Sequence, residues 1–304
     1  SMKVFVTGAT GFVGSAVVQE LISAGHRVLG LARSDAGAKS LAAVGAQVQR
    51  GDLTDLESLR KGAALSDGVI HAAFNHDFSN YAVAAQMDMQ AIEALGGALA
   101  GSDRRLVITS GTLVLQRKGP LATEDDTPDP AFPRKSEDAV LAVSSRGVNV
   151  SIVRLSPSVH GDGDHGFVPR LIAIAREKGV SAYIGDGLNC WPAVHRLDAA
   201  RLYRLALEKG TTGTGYYHGV ADEGIATRDI AQVIGRQLNL PVVSKSPEEA
   251  AGHFTWLAHF FAMDAPASSK QTQQQLGWKP TQVGLIADLE HGRYFEPIRD
   301  LVNS

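Results

Sequence analysis

Along the first half of the chain, hydrophobic and polar positions switch repeatedly between two periods. Lys3–Thr7 is an apolar run too brief for a helix, closed by Gly8 as a strand would be. Phe12, Val13, Ala16, Val17, Leu21 and Ile22 then recur at helical spacing up to Gly25. The succession repeats, with strands expected at 27–31, 47–49, 68–71, 105–109 and 150–153. Between them the spacing predicts helices at 36–44, 56–63, 81–100 and 136–144. Such alternation requires right-handed crossovers and a parallel sheet covered on both faces. The expected fold is therefore α/β, with a doubly wound parallel sheet. Past residue 155 helical periods persist at 167–177, 197–208 and 228–238, while strands shorten and loops lengthen. This predicts a smaller C-terminal α/β lobe. We place the boundary so that 2–160 forms the first domain and 161–304 a lobe that does not fold independently.

Composition narrows the partners. With 304 residues, 44% hydrophobic and 20% charged, the chain has a globular balance and enough length for a large core without metal or disulfide staples. A formal charge of −3 supplies no basic field for nucleic acid, and no apolar run of 18 residues exists, so neither nucleic acid nor membrane is an expected partner. Cys190 is the single cysteine, which excludes an internal disulfide framework. With no apolar signal core near the start, the expectation is a reducing, cytoplasmic setting. A small-molecule substrate or ligand is the expected partner, and a homodimer is left open.

Glycine stands out, with 32 residues. Thr7-Gly8-Ala9-Thr10-Gly11-Phe12-Val13-Gly14 places glycines three apart between the first strand and the first helix. Gly8 would permit the tight turn, Gly11 a close approach of backbone to a pyrophosphate, and Gly14 close helix–strand packing. The helix start would offer unpaired N–H groups and a partial positive charge to phosphates. A ligand-free turn is the plain alternative, but the strand–turn–helix context is the one a Rossmann dinucleotide site requires. At the end of the second strand stands Leu31-Ala32-Arg33-Ser34. An acidic residue there would hold ribose hydroxyls, whereas Arg33 can fork onto a 2′-phosphate and Ser34 can add a hydroxyl. NADP(H) is accordingly expected over NAD(H), unless Asp35 does the ribose work.

Taken together these residues resemble the extended short-chain dehydrogenase/reductase family, which includes nucleotide-sugar epimerases and flavonol reductases. Gly51-Asp52-Leu53 resembles its adenine-binding segment, which implies that Asp52 meets the adenine amino group and Leu53 the ring edge. His71-Ala72-Ala73 resembles the loop bordering the cofactor ribose, implicating Ala72 and Ala73. The resemblance implies further cofactor contacts from Thr10, Phe12, Val13 and Thr109. Arg154-Leu155-Ser156-Pro157-Ser158-Val159-His160-Gly161 resembles the loop that flanks the nicotinamide, implicating Pro157, Ser158 and Val159. Val194-His195-Arg196-Leu197-Asp198-Ala199-Ala200 resembles a substrate-lobe signature, and Leu276-Gly277-Trp278-Lys279-Pro280 the closing motif.

The family's chemistry usually rests on a Tyr-x-x-x-Lys pair and a Ser or Thr hydroxyl. Here no tyrosine lies between Tyr81 and Tyr183, and none of the six tyrosines has a lysine four residues on. Anchoring on Glu137 puts Asp129 and Pro133 at the pair, and sliding by two puts Ala131 and Lys135 there. Thr112 and Ser110 are the candidate catalytic hydroxyls, or else they bond turn backbone. Tyr81, His160 and His195 are candidate proton donors. Phe74, Met87, Thr112, His160, Phe167 and Trp191 are expected to line a pocket, because their segments border the site in the family.

The expected function is an NADP(H)-dependent oxidoreductase acting on a small or medium apolar carbonyl, alcohol or activated alkene. A non-catalytic NADP(H)-binding sensor is the alternative, and a nucleotide-sugar epimerase or dehydratase the next. His160-Gly161-Asp162-Gly163-Asp164-His165 gathers metal-ligand types but also fits a surface turn, and no metal is expected. Glu124-Asp125-Asp126 with Pro128, Pro130 and Pro133 reads as an exposed loop across the site entrance. Phe254, Trp256, Leu257, Phe260, Phe261 and Met263 read as the core of the C-terminal lobe rather than a dimer contact.

Overall fold

A computed structural model describes residues 1–73 and 80–297. The first six strands are β1 (Lys3–Thr7), β2 (Arg27–Ala32), β3 (Gln47–Arg50), β4 (Gly68–His71), β5 (Arg105–Gly111) and β6 (Asn149–Leu155). The helices among them are α1 (Phe12–Ser23), α2 (Asp35–Ala43), α3 (Leu56–Ala64), α4 (Tyr81–Leu99) and α5 (Ser136–Ser144). All six strands pair in parallel, joined at one edge by β10 (Thr214–Gly219), in the order β10-β6-β5-β4-β1-β2-β3. Strand pleat decides which core each residue enters. Val4 and Val6 face the layer holding Val17 and Leu21, while Phe5 faces the opposite layer with Leu59, Ile92 and Val143. The order reverses between β1 and β4, which opens a crevice at their C-terminal ends, the place where doubly wound sheets bind ligands.

Beyond β6 come β7 (Ser158–His160), α6 (Phe167–Lys178), β8 (Ser181–Ile184), β9 (Cys190–His195) and α7 (Arg196–Lys209). After β10 follow β11 (Asp222–Ala226), α8 (Thr227–Leu238), β12 (Val242–Lys245), α9 (Pro247–Phe254), α10 (Leu257–Phe261), α11 (Lys270–Leu276) and α12 (Leu285–His291). Two small sheets form here, β11-β9-β7 and β12-β8. They surround a second core in which Trp191, Phe254, Leu257 and Phe261 are buried. The chain does not stay in this lobe after residue 160. Leu202, Tyr203 and Leu205 of α7 pack into the core of the first sheet beside α1, and β10 extends that sheet, so the lobes are interleaved in sequence.

The acidic segment expected to lie exposed is instead anchored. Glu124 and Asp126 are buried, Glu124 Oε2 accepts from Thr272 N and Oγ1 at 2.7 Å, and Gln116 N donates to the Thr127 carbonyl. Of the three acids only the middle one, Asp125, is exposed, while Pro130 and Pro133 further along the segment are exposed as expected. A run of acids and prolines predicts a solvated loop from composition, but contacts from distant α11 override it. Among the described residues no helix is long and apolar enough to cross a membrane.

Candidate functional site

The glycine loop is constrained by sterics at both ends. Gly8 has φ +66°, and a Cβ there would lie 2.7 Å from Ala73 N. A Cβ on Gly14 would lie 1.7 Å from the Gly8 carbonyl oxygen, so α1 packs against the loop in a way that only glycine allows. Thr10 and Gly11 are exposed at the loop tip, Phe12 and Val13 are half-buried, and Gly11 caps α1 without a side-chain bond. The first N–H groups of α1 thus face an open cradle.

On one side of this cradle lie the ends of β2 and β3. Arg33 and Ser34 are exposed, and Ser34 Oγ caps α2 by accepting from Gly37 N at 3.0 Å. Asp35 does not stand alone, since Arg50 binds it at 2.8 Å and also donates to the Arg33 carbonyl. Arg50 was not among the residues singled out from sequence. Asp52 accepts from Thr54 N and Oγ1 and from Asp55 N. These bonds, the Thr54 hydroxyl foremost, hold its carboxyl below the ordinary range. Leu53 is half-buried next to it.

On the other side, at the ends of β4, β5 and β6, the polar groups turn inward. His71 Nδ1 bonds Thr7 Oγ1 at 2.7 Å, and His71 Nε2 bonds Asp88 Oδ1 at 2.9 Å. Burial pushes the Asp88 carboxyl up, but His71 and Arg134 outweigh it and hold it below its usual value. Asp88 also accepts from Ser136 Oγ, which accepts in turn from Arg134 Nε at 3.1 Å. Arg134 Nη2 donates to the Thr109 carbonyl at 3.0 Å, while Thr109 Oγ1 meets Tyr203 OH at 2.6 Å. Ala72 and Ala73 are half-buried at the entrance, and Ala73 N donates to Thr7 Oγ1.

The two candidate hydroxyls part company here. Ser110 Oγ donates to Glu137 Oε2 at 2.8 Å, joining a buried fork in which Arg154 Nε and Nη2 donate to Glu137 at 2.9 and 2.8 Å. Thr112 Oγ1 is buried and has no hydrogen-bond partner. Asp129 and Lys135, weighed as stand-ins for the tyrosine pair, cap local backbone at Ala131 N and the Pro130 carbonyl. The cation on this side is Arg134, one residue beyond the Pro133 that the Glu137 anchor selects. Tyr81 opens α4, two turns from Asp88 on the same helix. Burial raises its phenol pKa, Arg134 pulls it down and Asp88 pushes it up. A cavity of about 500 Å³ adjoins this half, lined by Ser110, Arg134, Glu137 and Arg154 together with the anchored Glu124 and Asp126.

The remaining expected residues fall on the lobe side. Val159 packs against the core of the first sheet, so the pleat turns its neighbours Ser158 and His160 the other way. His160 is wholly buried and bonds Asp288 Oδ2 through Nδ1 at 2.6 Å. His195 caps α7 by accepting from Leu197 N, and burial with His160 nearby lowers its pKa. Trp191 is wholly buried in the lobe core, stacked edge-on against Phe167 and Phe261 at 5.3 and 5.6 Å. The side chains of His160 and Trp191 therefore do not face the glycine loop. Ser158 Oγ, His160 Nε2 and Trp191 Nε1 are buried without hydrogen-bond partners. Pro157 is half-buried between β6 and β7, and Met87 half-buried on α4. Phe74 lies outside the described residues.

Comparison with known proteins bears on the fold and the chemistry. The sequence profile of the NAD dependent epimerase/dehydratase family matches residues 4–218. The uncharacterized protein C2A9.02 of Schizosaccharomyces pombe is 53% identical over 296 residues, covering 97% of this chain and 100% of that protein. A 2-alkyl-3-oxoalkanoate reductase of Stenotrophomonas maltophilia is 28% identical over 263 residues, 81% of this chain and 78% of that one. The crystal structure of DesIV, a dTDP-glucose 4,6-dehydratase from Streptomyces venezuelae with NAD and TYD bound, superposes with a TM-score of 0.78 at 21% identity, over 97% of each chain. That last likeness speaks for the fold alone.

Proposed function

The chain belongs to the NAD dependent epimerase/dehydratase family, and on that premise we propose that it is an NADP(H)-dependent oxidoreductase. Its substrate is a small or medium apolar carbonyl, alcohol or activated alkene. The observation that carries the cofactor choice is the arrangement at the end of β2. Arg33 is exposed there beside Arg50, and the nearby carboxylate of Asp35 is already held by Arg50. Two guanidinium groups and the N-terminus of α2 favour a 2′-phosphate over two hydroxyls.

The residues fit a bound dinucleotide along the whole crevice. The glycine loop, where added Cβ atoms would collide, offers N–H groups to the diphosphate. Asp52 and Leu53 border the adenine, and Ala72, Ala73 and Thr109 the second ribose. When bound, the nicotinamide supplies or accepts the hydride. Thr112 donates its unpartnered hydroxyl to the substrate oxygen, a task Ser110 cannot share while it holds Glu137. Tyr81 exchanges the proton, with Arg134 beside it to stabilise the phenolate. Relatives that include a named 2-alkyl-3-oxoalkanoate reductase support the carbonyl chemistry.

A calorimetric titration of the purified chain with NADPH and NADH tests this reading. Tight binding that prefers NADPH is expected, followed by NADPH oxidation with aldehydes, diketones or enones. Equal affinity for the two cofactors would overturn the assignment of Arg33. Tight NADPH binding with no turnover across such a panel would favour the sensor.

A further inference from the structure

We propose that Arg196 is the counter-charge for the diphosphate of the bound dinucleotide, so that the cofactor itself fastens the β9–α7 junction to the glycine loop. This rests on the cofactor reading above.

A diphosphate at the start of α1 carries two negative charges, and the loop that cradles it, Gly8–Ser15, has no basic residue. Helix N–H groups contribute only partial charges. The cation that the fold brings to this spot comes from the β9–α7 junction, far along the chain. Arg196 begins α7, directly after β9, and its guanidinium lies 4.7 Å from the centre of the Phe12 ring, the first residue of α1. Its Nη2 donates to Ser15 Oγ at 2.8 Å, on the first turn of the same helix. Its Nη1 donates to the Asp162 carbonyl at 3.2 Å.

Both of these acceptors are neutral, and the third donor, Nε, is buried with no acceptor at all. A half-buried guanidinium held by a hydroxyl and a carbonyl, with one N–H orphaned, has an unmet demand for an anion. Burial presses its pKa down more than the nearby Asp162 carboxylate raises it, and a diphosphate would raise it further. Its position is set from behind. The turn at 161–166 lies against Phe12 through His165, with ring centres 6.1 Å apart. Tyr294 fixes that turn by accepting from Gly161 N and donating to Asp164. Arg196 is thus preorganised at the mouth of the cradle, at the junction where β9 of the C-terminal lobe passes into α7, which packs beside α1.

The test is binding, measured by calorimetry with four probes: NADPH, NADH, ADP and adenosine 2′-monophosphate, which has no 5′-phosphate to reach the cradle. Arg196→Met should weaken NADPH, NADH and ADP by a common factor of about 10 to 100, as expected for a lost charge-assisted bond. The 2′-monophosphate should stay within about threefold. Arg33→Ala should give the converse pattern, with losses confined to NADPH and the 2′-monophosphate. Arg196→Gln keeps donors for Ser15 and Asp162 and removes the charge, so it should reproduce the pattern if the methionine variant does not fold. Unchanged ADP and NADPH affinity in either folded variant would overturn the proposal. So would an equal loss that includes the 2′-monophosphate, which would mean a displaced loop rather than a missing counter-charge. Wild-type protein that binds none of the four probes would instead overturn the cofactor reading, and this proposal with it.

Discussion

Over β2 and β3 the polar groups of the crevice point outward. Arg33 is exposed, Asp35 has 90% of its side chain exposed, and Asp52 bonds only its own turn. Over β4, β5 and β6 they point inward, and the residues that border the site also hold the sheet together. His71, Asp88, Ser136, Glu137 and Arg154 are all buried there and bonded to one another in chains. The contrast teaches that one end can recognise a ligand without serving stability, whereas the other cannot separate the two. Exposed pairs contribute about 0–1 kcal/mol, while a buried charge left without its partner costs several times more.

Four substitutions or conditions test that contrast, in descending order of expected effect. Glu137→Ala leaves Arg154 buried and uncompensated, and should lower unfolding free energy by about 3–5 kcal/mol in denaturant titrations. A loss below about 1 kcal/mol would remove the inner end's structural role. Arg33→Ala should weaken NADPH by about 10- to 100-fold relative to NADH with an unshifted melting curve. A large drop in melting temperature would break the comparison from the other side.

Thr112→Val keeps shape and removes the orphaned hydroxyl. It should lower turnover about tenfold or more at unchanged NADPH affinity, and should leave stability equal or raised, since a buried unpaired group disappears. An unchanged rate would return Thr112 to packing. The smallest effect, taken over a single pH unit, is a slope with pH. His218 accepts Arg154 as a neighbour behind the inner end, and burial, with Arg154 next, pushes its pKa from 6.5 down to about 3. The unfolded imidazole takes a proton near pH 6.5 and the folded one does not until about 3, so between these values the unfolded chain binds more protons. Stability should therefore fall as pH drops through this window, by up to about 1.4 kcal/mol per pH unit. His218→Asn should flatten the profile there, and an unaltered slope would assign the acid sensitivity to other groups.

Much of this was legible in the chain. The helix at 136–144 and the loop Gly8–Gly14 follow from local spacing and from glycine's freedom, and they appear at the expected positions. Shorter strands such as Ser158–His160 carry too few residues for a period to register, so the pattern alone passed over them. Glu124 was misjudged because its partner, Thr272, is 148 residues away. Arg134 had a faint signal, a base next to the position where the family lysine was sought. Arg50 and Arg196 had none, because neither lies in the loop it serves.

What the sequence determined by itself is whatever depends on neighbours along the chain: the strand and helix periods, the glycine cradle, six tyrosines with no lysine four residues on, and the arginine after the second strand. What the tertiary structure decided is which polar groups find partners. Ser110 and Thr112 are two residues apart and chemically alike, yet one is bound to Glu137 from a later helix and the other is left with an unmet hydroxyl. Such a difference arises from crossovers that bring distant segments within 3 Å, and hydrogen bonding depends on that distance and not on separation along the chain.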